Sequence, residues 1–184
     1  MEHIDFKSKI QYRLAQISVG PSAIRNQGAP LMIQILRNHF MQMNLDTFFK
    51  VLHHKEQFQE YLNDETETIL KAFPENGKSW GAARKGLNLF LREVVYNHYM
   101  AQWYSIPNNI NDNTIFLQHL EVPLDKDVAT GLIEACQLPK TSWKSIKELS
   151  IEQSTFLQEK ALELAQNKQT ARIHLDLMFW RRDR

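Results

Sequence analysis

A long amphipathic segment near the middle of the chain constrains the fold more than any other feature of the sequence. Between Ser79 and Tyr104, apolar residues recur at i, i+3, i+4 and i+7, so that Leu87, Phe90 and Val94 share one face. A helix with one apolar face buries that face against other elements. The segment is therefore predicted to be the central helix of the fold.

The remainder of the chain is predicted to be helical as well. It holds six Val against 21 Leu and 12 Ala, a balance that favours helices because Val loses side-chain freedom in a helix whereas Leu and Ala do not. No segment shows a sustained period of two. We predict a single compact all-α domain over residues 1–184. The other helices are predicted at 4–17, 30–43, 46–54, 64–73, 123–137 and 168–182, with one more that begins at Ser150.

Turn and capping residues mark the ends of these helices. Pro21 ends the first helix, because proline cannot continue the hydrogen-bond ladder. Asp46, Asp125 and Ser150 are expected as N-caps. The Asn-rich stretch 105–114 has the composition of a surface loop.

The composition excludes several classes of protein and site. Cys136 is the only cysteine, so an internal disulfide, a four-cysteine zinc site and a four-cysteine iron–sulfur cluster are ruled out, and a reducing, cytoplasmic location is expected. Charged residues near the start exclude a signal peptide, and no segment is apolar enough to cross a membrane. The net charge is +1, so binding to nucleic acid would need a local basic patch. No cofactor and no metal are expected, and the oligomeric state stays open.

Two segments combine residue types that are suited to chemistry. In the first, Trp80 to Leu91, small residues and the basic pair Arg84 and Lys85 open the long helix, where free backbone N–H groups suit a phosphate. In the second, Val122 to Val128, Asp125 lies at a helix start, where backbone N–H groups and the helix dipole stabilise its carboxylate. An amine and a carboxylate, 40 residues apart in the chain, are thus both placed near helix N-termini.

Read together, the two segments resemble the motifs of the helix-hairpin-helix DNA glycosylase superfamily. Its members carry a hairpin of the kind Leu-Pro-Gly-Val-Gly-Arg-Lys-Thr-Ala, followed downstream by Val-Asp-Thr-His-Val. Here Gly81-Ala82-Ala83-Arg84-Lys85 is similar to the Gly-Val-Gly-Arg-Lys of the hairpin, and Pro123-Leu124-Asp125-Lys126-Asp127-Val128 is similar to the aspartate motif. The segment from His174 to Trp180 also looks like a closing helix of that fold, so the resemblance covers residues 79–182.

The resemblance implies excision of a damaged or modified base from DNA. The base would leave the duplex and enter a pocket, since its glycosidic bond is out of reach inside the stack. By analogy with the family, Asp125 would stabilise the sugar cation or activate the nucleophile, and Lys85 would attack the sugar carbon in a lyase step. We therefore expect Lys85 and Asp125 to meet in one cleft, with Arg84, Arg92 and Arg25 on its rim.

Further residues are predicted to contact the DNA. Three polar residues recur every four positions along the long helix and form a stripe suited to a phosphate backbone. The polar connector between the first two helices is placed to reach a pocket or a groove, and two tryptophans offer rings for stacking. The predicted DNA contacts are Gly81, Arg84, Asn88, Arg92, Arg25, Asn26 and Gln27. The predicted base-stacking residues are Trp80 and Trp103.

Each of these interpretations has a structural alternative that the sequence leaves open. Lys85 also fits a solvated lysine at a helix start, Asp125 fits a simple N-cap, and the connector at Arg25 fits a turn that caps its neighbours. For the whole chain, the second hypothesis is a non-catalytic DNA-binding or protein-interaction module, which Ala83 and Leu87 favour because they replace small residues of the hairpin. A helical scaffold without any nucleic-acid role is the third.

Overall fold

Helices are the regular secondary structure of the part that the computed structural model describes, which comprises residues 5–24, 31–107, 109 and 113–180. No strand occurs in these ranges, so the all-α prediction is confirmed. The α-helices are α1 (Phe6–Ser18), α2 (Met32–Gln42), α3 (Leu45–Val51), α4 (Lys55–Ala72), α5 (Trp80–Tyr96), α6 (His98–Trp103), α7 (Asn113–Phe116), α8 (Lys126–Ala135), α9 (Ile151–Asn167) and α10 (Leu175–Phe179). Short 3-10 segments lie at Glu75–Gly77, Lys140–Ser142 and Arg172–His174.

Helix α5 is the central helix, as its apolar pattern predicts. It packs against α1, α2, α4, α6 and α9, and most of its side chains are buried. Phe90 stacks on Phe40 of α2 with ring centres 4.5 Å apart. Gly86 allows α2 to approach closely, because a Cβ atom there would meet the Leu36 side chain. The other helices are thus arranged around α5.

Some predicted helix boundaries are wrong, and local capping explains the differences. The segment predicted as one helix to Tyr104 ends at Tyr96, because Asn97 is extended and its side chain accepts hydrogen bonds from the first N–H groups of α6. Asn44, and not Asp46, caps α3 by accepting from the Thr47 N–H at 3.0 Å. The predicted helix 64–73 begins earlier, at the start of α4. Of the predicted helix 168–182, the described residues 168–180 contain a 3-10 segment and the short α10 in place of one long helix.

The buried apolar residues form two clusters that meet along one seam. The larger cluster joins α1 to α6 with Leu117, Leu120 and Ile173. The smaller cluster joins α8, α9 and α10 with Val122 and Leu149. Helix α5 belongs to the larger cluster, but its first residue, Trp80, packs against the smaller one. The N-terminal end of α5 therefore lies at the seam. No helix of the described ranges is long and apolar enough to span a bilayer.

Candidate active site at the seam

Lys85 lies in the second turn of α5, at an end of the helix that local contacts fix in place. The Ser79 side chain caps the helix by accepting from the Ala82 N–H at 3.2 Å and donates to the Ile146 carbonyl at 3.3 Å. A Cβ atom on Gly81 would fall on the same carbonyl, so only glycine permits this approach. The segment around Ile146 is thereby held against the start of α5.

Asp125 uses its two carboxylate oxygens for two different contacts. Oδ1 accepts from the Val128 N–H at 3.0 Å and caps α8, whereas Oδ2 lies 3.5 Å from Lys85 Nζ. The second distance is that of an ion pair and not of a strong hydrogen bond. The side chain of Lys85 is 8% exposed and that of Asp125 34%, so solvent reaches the carboxylate more readily than the amine. The expected approach of the two residues is present, while their catalytic roles stay predictions.

The ion pair lines a cavity of about 330 Å³ at the seam. Its walls come from the turn after α1 at Ser22, the start of α8 and the segment from Trp143 to Ile146. The volume lies at the lower end of the range for small-molecule sites, and junctions between hydrophobic units are frequent places for such sites. The cavity therefore provides room for a small group beside the amine and the carboxylate.

Three cavity residues are functional candidates that the sequence reasoning missed. Lys126 and Lys144 are exposed cations at the cavity, and Trp143 presents a half-buried indole to it. Lys144 is held only by a loose contact of 3.8 Å with Glu148. The sequence feature that indicates Trp143 is a tryptophan between polar residues in the connection between two helices. A large apolar side chain there cannot pack as part of the apolar face of a helix.

Asp176, near the start of α10, is a further carboxylate close to the pair. It forms an ion pair with Arg92, and the charges of Asp125 and Lys85 act on it. Burial raises the pKa of Asp176, although the charge and hydrogen bond of Arg92 oppose this. Arg92 also donates from Nη2 to Glu93 Oε1 at 2.6 Å. Two carboxylates thus engage Arg92, which is not on the cavity rim where the sequence analysis expected it.

The structure corrects the predicted DNA contacts at Arg84 and Asn88. Arg84 is 3% exposed and binds Glu121 from Nε at 2.8 Å and from Nη2 at 3.2 Å. Asn88 is 2% exposed and donates to the same carboxylate at 2.9 Å. Both side chains satisfy a buried charge inside the protein, so neither follows a phosphate backbone. The four-residue spacing indicated a shared helix face correctly but not that the face is internal.

The other predicted contacts that lie within the described residues do not line the Lys85 cavity. Trp80 is half-buried beside Arg84, whose guanidinium carbon lies 5.3 Å from the ring centre. Trp103 is exposed on α6 next to Tyr99, with ring centres 6.4 Å apart. Gly81 allows the segment around Ile146 to lie close to the start of α5. Arg25, Asn26 and Gln27 lie outside the described residues.

The chain has no match among the models of known protein families, the curated proteins or the solved structures to which it was compared. The resemblance to helix-hairpin-helix DNA glycosylases therefore rests on its motif residues and stays a prediction. Within the described residues, no three His, Cys, Asp or Glu side chains are grouped to hold a metal ion.

Proposed function

We propose that this protein is a DNA glycosylase-like enzyme that excises a damaged or modified base, with Lys85 as the nucleophile of a lyase step. The observation that carries the proposal is the approach of Lys85 Nζ to Asp125 Oδ2, 3.5 Å apart, in a cavity that opens to solvent. The two motifs that resemble the glycosylase family hold these same two residues.

In the first step the bond between the base and the sugar breaks, and positive charge develops on the sugar. Asp125 is suited to stabilise that charge because α8 already fixes its carboxylate through Oδ1. Oδ2 takes no part in the capping bond and lies 3.5 Å from Lys85 Nζ. A carboxylate that is oriented in advance stabilises a developing cation without a reorganisation cost during the reaction.

In the second step Lys85 supplies the amine. Its neutral Nζ forms a carbon–nitrogen bond with C1′ of the sugar cation that the first step leaves. A proton then passes from Nζ to O4′ as the C1′–O4′ bond breaks, which opens the sugar ring and leaves a protonated imine. The ammonium group must first lose a proton, and Asp125 Oδ2 is the carboxylate oxygen with which it is paired. The same carboxylate would thus stabilise the sugar cation first, while it is ionised, and accept the ammonium proton afterwards.

The cavity walls fit the remaining needs of such a reaction. Trp143 offers a ring on which an extruded base would stack. Lys126 and Lys144 place two exposed cations at the cavity, where the phosphates on either side of that nucleotide would pass. These residues replace Arg84, Asn88 and Arg92 as the proposed DNA contacts.

Borohydride trapping on DNA that contains an abasic site tests the proposal. We expect the wild-type protein to form a covalent adduct, because borohydride reduces the imine to a stable amine. Lys85→Ala should abolish the adduct. Lys78→Ala is the matched control, since Lys78 is an exposed lysine that pairs with Glu75 and lies outside the cavity. An adduct that persists in Lys85→Ala would reject Lys85 as the nucleophile.

Release of free base from DNA with a panel of lesions tests the glycosylase step separately. Asp125→Asn should slow base release by about a hundredfold or more, because it removes the charge that stabilises the sugar cation. Asparagine is also a favourable N-cap, so α8 should keep its start. If the wild-type protein shows no base release and forms no trapped adduct, the enzymatic proposal is ruled out.

A non-catalytic DNA-binding module is the second candidate, and the exposed cations Lys126 and Lys144 favour it independently of the ion pair. It predicts salt-dependent DNA binding that survives Lys85→Ala and Asp125→Asn but weakens in a Lys126→Ala, Lys144→Ala double variant. Binding that depends on these cations, without base release or trapping, would select this candidate over the enzyme.

A further inference from the structure

A second cavity, of about 320 Å³, lies on another side of the N-terminal end of α5. Helices α4 and α9 form its walls, and Trp80 and Arg84 of α5 line it together with Arg172. Lys85 does not line it, because successive residues of a helix point about 100° apart. The function proposed above makes no use of this cavity.

The cavity is bounded by a buried cluster of charged side chains. Arg84 binds Glu121 through two nitrogens and also donates to Thr66 Oγ1 at 2.9 Å. Arg172 is 9% exposed and makes three hydrogen bonds, all to backbone carbonyls: Nε to Leu120 at 3.0 Å, Nη1 to Gln158 at 3.0 Å and Nη2 to His119 at 2.9 Å. Among the described residues, Arg172 therefore has no carboxylate as a direct hydrogen-bond partner.

The charges of this cluster do not balance. Arg84 and Arg172 contribute two buried positive charges, and Glu121 contributes one negative charge whose hydrogen bonds come from Arg84 and Asn88. A buried charge without a counter-charge is costly. Each terminal nitrogen of an arginine carries two hydrogens, and Arg172 uses only one from each. Hydrogen-bond donors and a positive charge thus remain at the cavity.

The rim does not remove this excess. Lys55 and Glu159 are both exposed and line the cavity, and their charges offset each other. Burial and the charge of Arg172 lower the pKa of His119, so this side chain is a neutral hydrogen-bonding group at pH 7. The indole of Trp80 adds an apolar wall. The cavity combines fork-shaped donors with room for a small molecule.

We propose that this second cavity binds a small oxyanion, as a phosphate or a carboxylate group, through Arg172 and the one remaining Nη1 hydrogen of Arg84. Planar guanidinium groups match the geometry of both oxyanions and bind them in preference to halides. The bound anion would neutralise the excess charge and link α5 to the 3-10 segment Arg172–His174. This inference does not depend on the proposed enzymatic function.

The four tryptophans of the chain provide a probe that separates the two cavities. Trp80 lines the second cavity, whereas Trp143 lines the cavity of Lys85. We would titrate the full-length ¹⁵N-labelled protein with inorganic phosphate at constant ionic strength, with chloride as the balancing ion. The indole N–H signals would be assigned by single Trp→Phe variants. We expect a saturable shift of the Trp80 signal with a smaller change at Trp143.

A pair of matched variants localises the binding. Thr155 is exposed on α9 at the cavity, and Thr130 is exposed on α8 and lines neither cavity. Thr155→Glu places a negative charge at the entrance without disturbing the core and should weaken phosphate binding about tenfold. Thr130→Glu adds the same charge elsewhere and should leave the affinity within about twofold.

A parallel titration with malonate tells which oxyanion the site prefers, and saturable binding of either one supports the proposal. Three outcomes would overturn it. The first is a Trp80 shift that stays linear in both titrations, as expected of weak adventitious binding. The second is equal weakening in Thr155→Glu and Thr130→Glu. The third is binding that moves Trp143 and is lost in Lys144→Glu, which would assign the anion to the Lys85 cavity.

Discussion

Arg84 and Lys85 are consecutive residues of α5, yet their ion pairs differ in burial and in the number of contacts. Arg84 and Glu121 have side chains 3% and 5% exposed and share two nitrogen–oxygen contacts of 2.8 and 3.2 Å. Lys85 and Asp125 share one contact of 3.5 Å, and the carboxylate is one-third exposed. One pair is enclosed by further hydrogen bonds, whereas the carboxylate of the other is open to solvent.

The chemistry of the two cationic side chains explains how one helix turn supports two kinds of ion pair. A guanidinium group directs several donors in fixed directions, so Arg84 also reaches Thr66 and Asn63 and stabilises the junction of α4 and α5. An ammonium group on a flexible stem commits fewer contacts, which leaves Lys85 available to a substrate. We therefore expect the Arg84 pair to determine stability and the Lys85 pair to determine chemistry.

The largest effect is expected when the buried pair is broken. Glu121→Ala leaves the Arg84 guanidinium buried without its counter-charge, so the free energy of unfolding should fall by about 3–5 kcal/mol. Urea denaturation monitored by circular dichroism measures this change. Glu148→Ala is the control, because Glu148 forms an exposed, loose pair with Lys144 and should cost less than about 1 kcal/mol. Similar values for the two variants would contradict the structural role of Glu121.

Acid should weaken the same pair. Burial by itself raises the pKa of Glu121, but the charge and hydrogen bond of Arg84, the charge of Arg172 and the hydrogen bond of Asn88 together hold it below its usual value. The stability contributed by this carboxylate is thus fully present above the unfolded value of 4.5 and is lost as the pH falls through the lowered pKa.

Comparison with Glu121→Gln isolates this titration, because glutamine does not ionise. The difference in unfolding free energy between the wild type and Glu121→Gln should be constant above about pH 6 and should shrink below pH 4.5. A difference that stays constant down to about pH 3 would contradict the pKa direction.

Gly81→Ala should disturb the Lys85 side of the helix and spare the Arg84 side. The added methyl group would fall on the Ile146 carbonyl, so the segment that carries Trp143 must move, at a cost of about 1–3 kcal/mol. Gly20→Ala is the control, because nothing lies within 4 Å of its added Cβ atom. The Trp143 indole signal should shift more than that of Trp80, and the reverse order would contradict the proposed layout.

The parts of the fold that the sequence predicts well are those with local causes. The apolar face of α5 and the caps at Asp125 and Ser150 depend on residues within a few positions of each other. The prediction places the start of α4 at Asp64, whereas this helix begins at Lys55. The helical spacing of Phe58 and Leu62 already indicates the earlier start. Asn97 was missed as a cap because an apolar pattern continues beyond it.

The candidate site was predictable only in part, for the same reason. Lys85 and Asp125 were identified because each lies in a recognisable local motif. Arg84 was placed on the surface because its partner Glu121 is 37 residues away in a segment without helical periodicity. The role of Trp143 depends on the approach of its segment to Gly81, which is a tertiary contact that no local pattern encodes.

The smallest expected effect separates the two functions of Asp125. Asp125→Ala removes the cap of α8 and should lower the free energy of unfolding by about 1 kcal/mol. Asp125→Asn keeps a capping oxygen and should lower it by only about 0.3 kcal/mol. Both variants remove the charge opposite Lys85, so both should lose base release. Urea denaturation and base release, measured on the same samples, test this. If Asp125→Asn destabilises as much as Asp125→Ala, the charge opposite Lys85 would matter for stability, and the division of roles between the two ion pairs would fail.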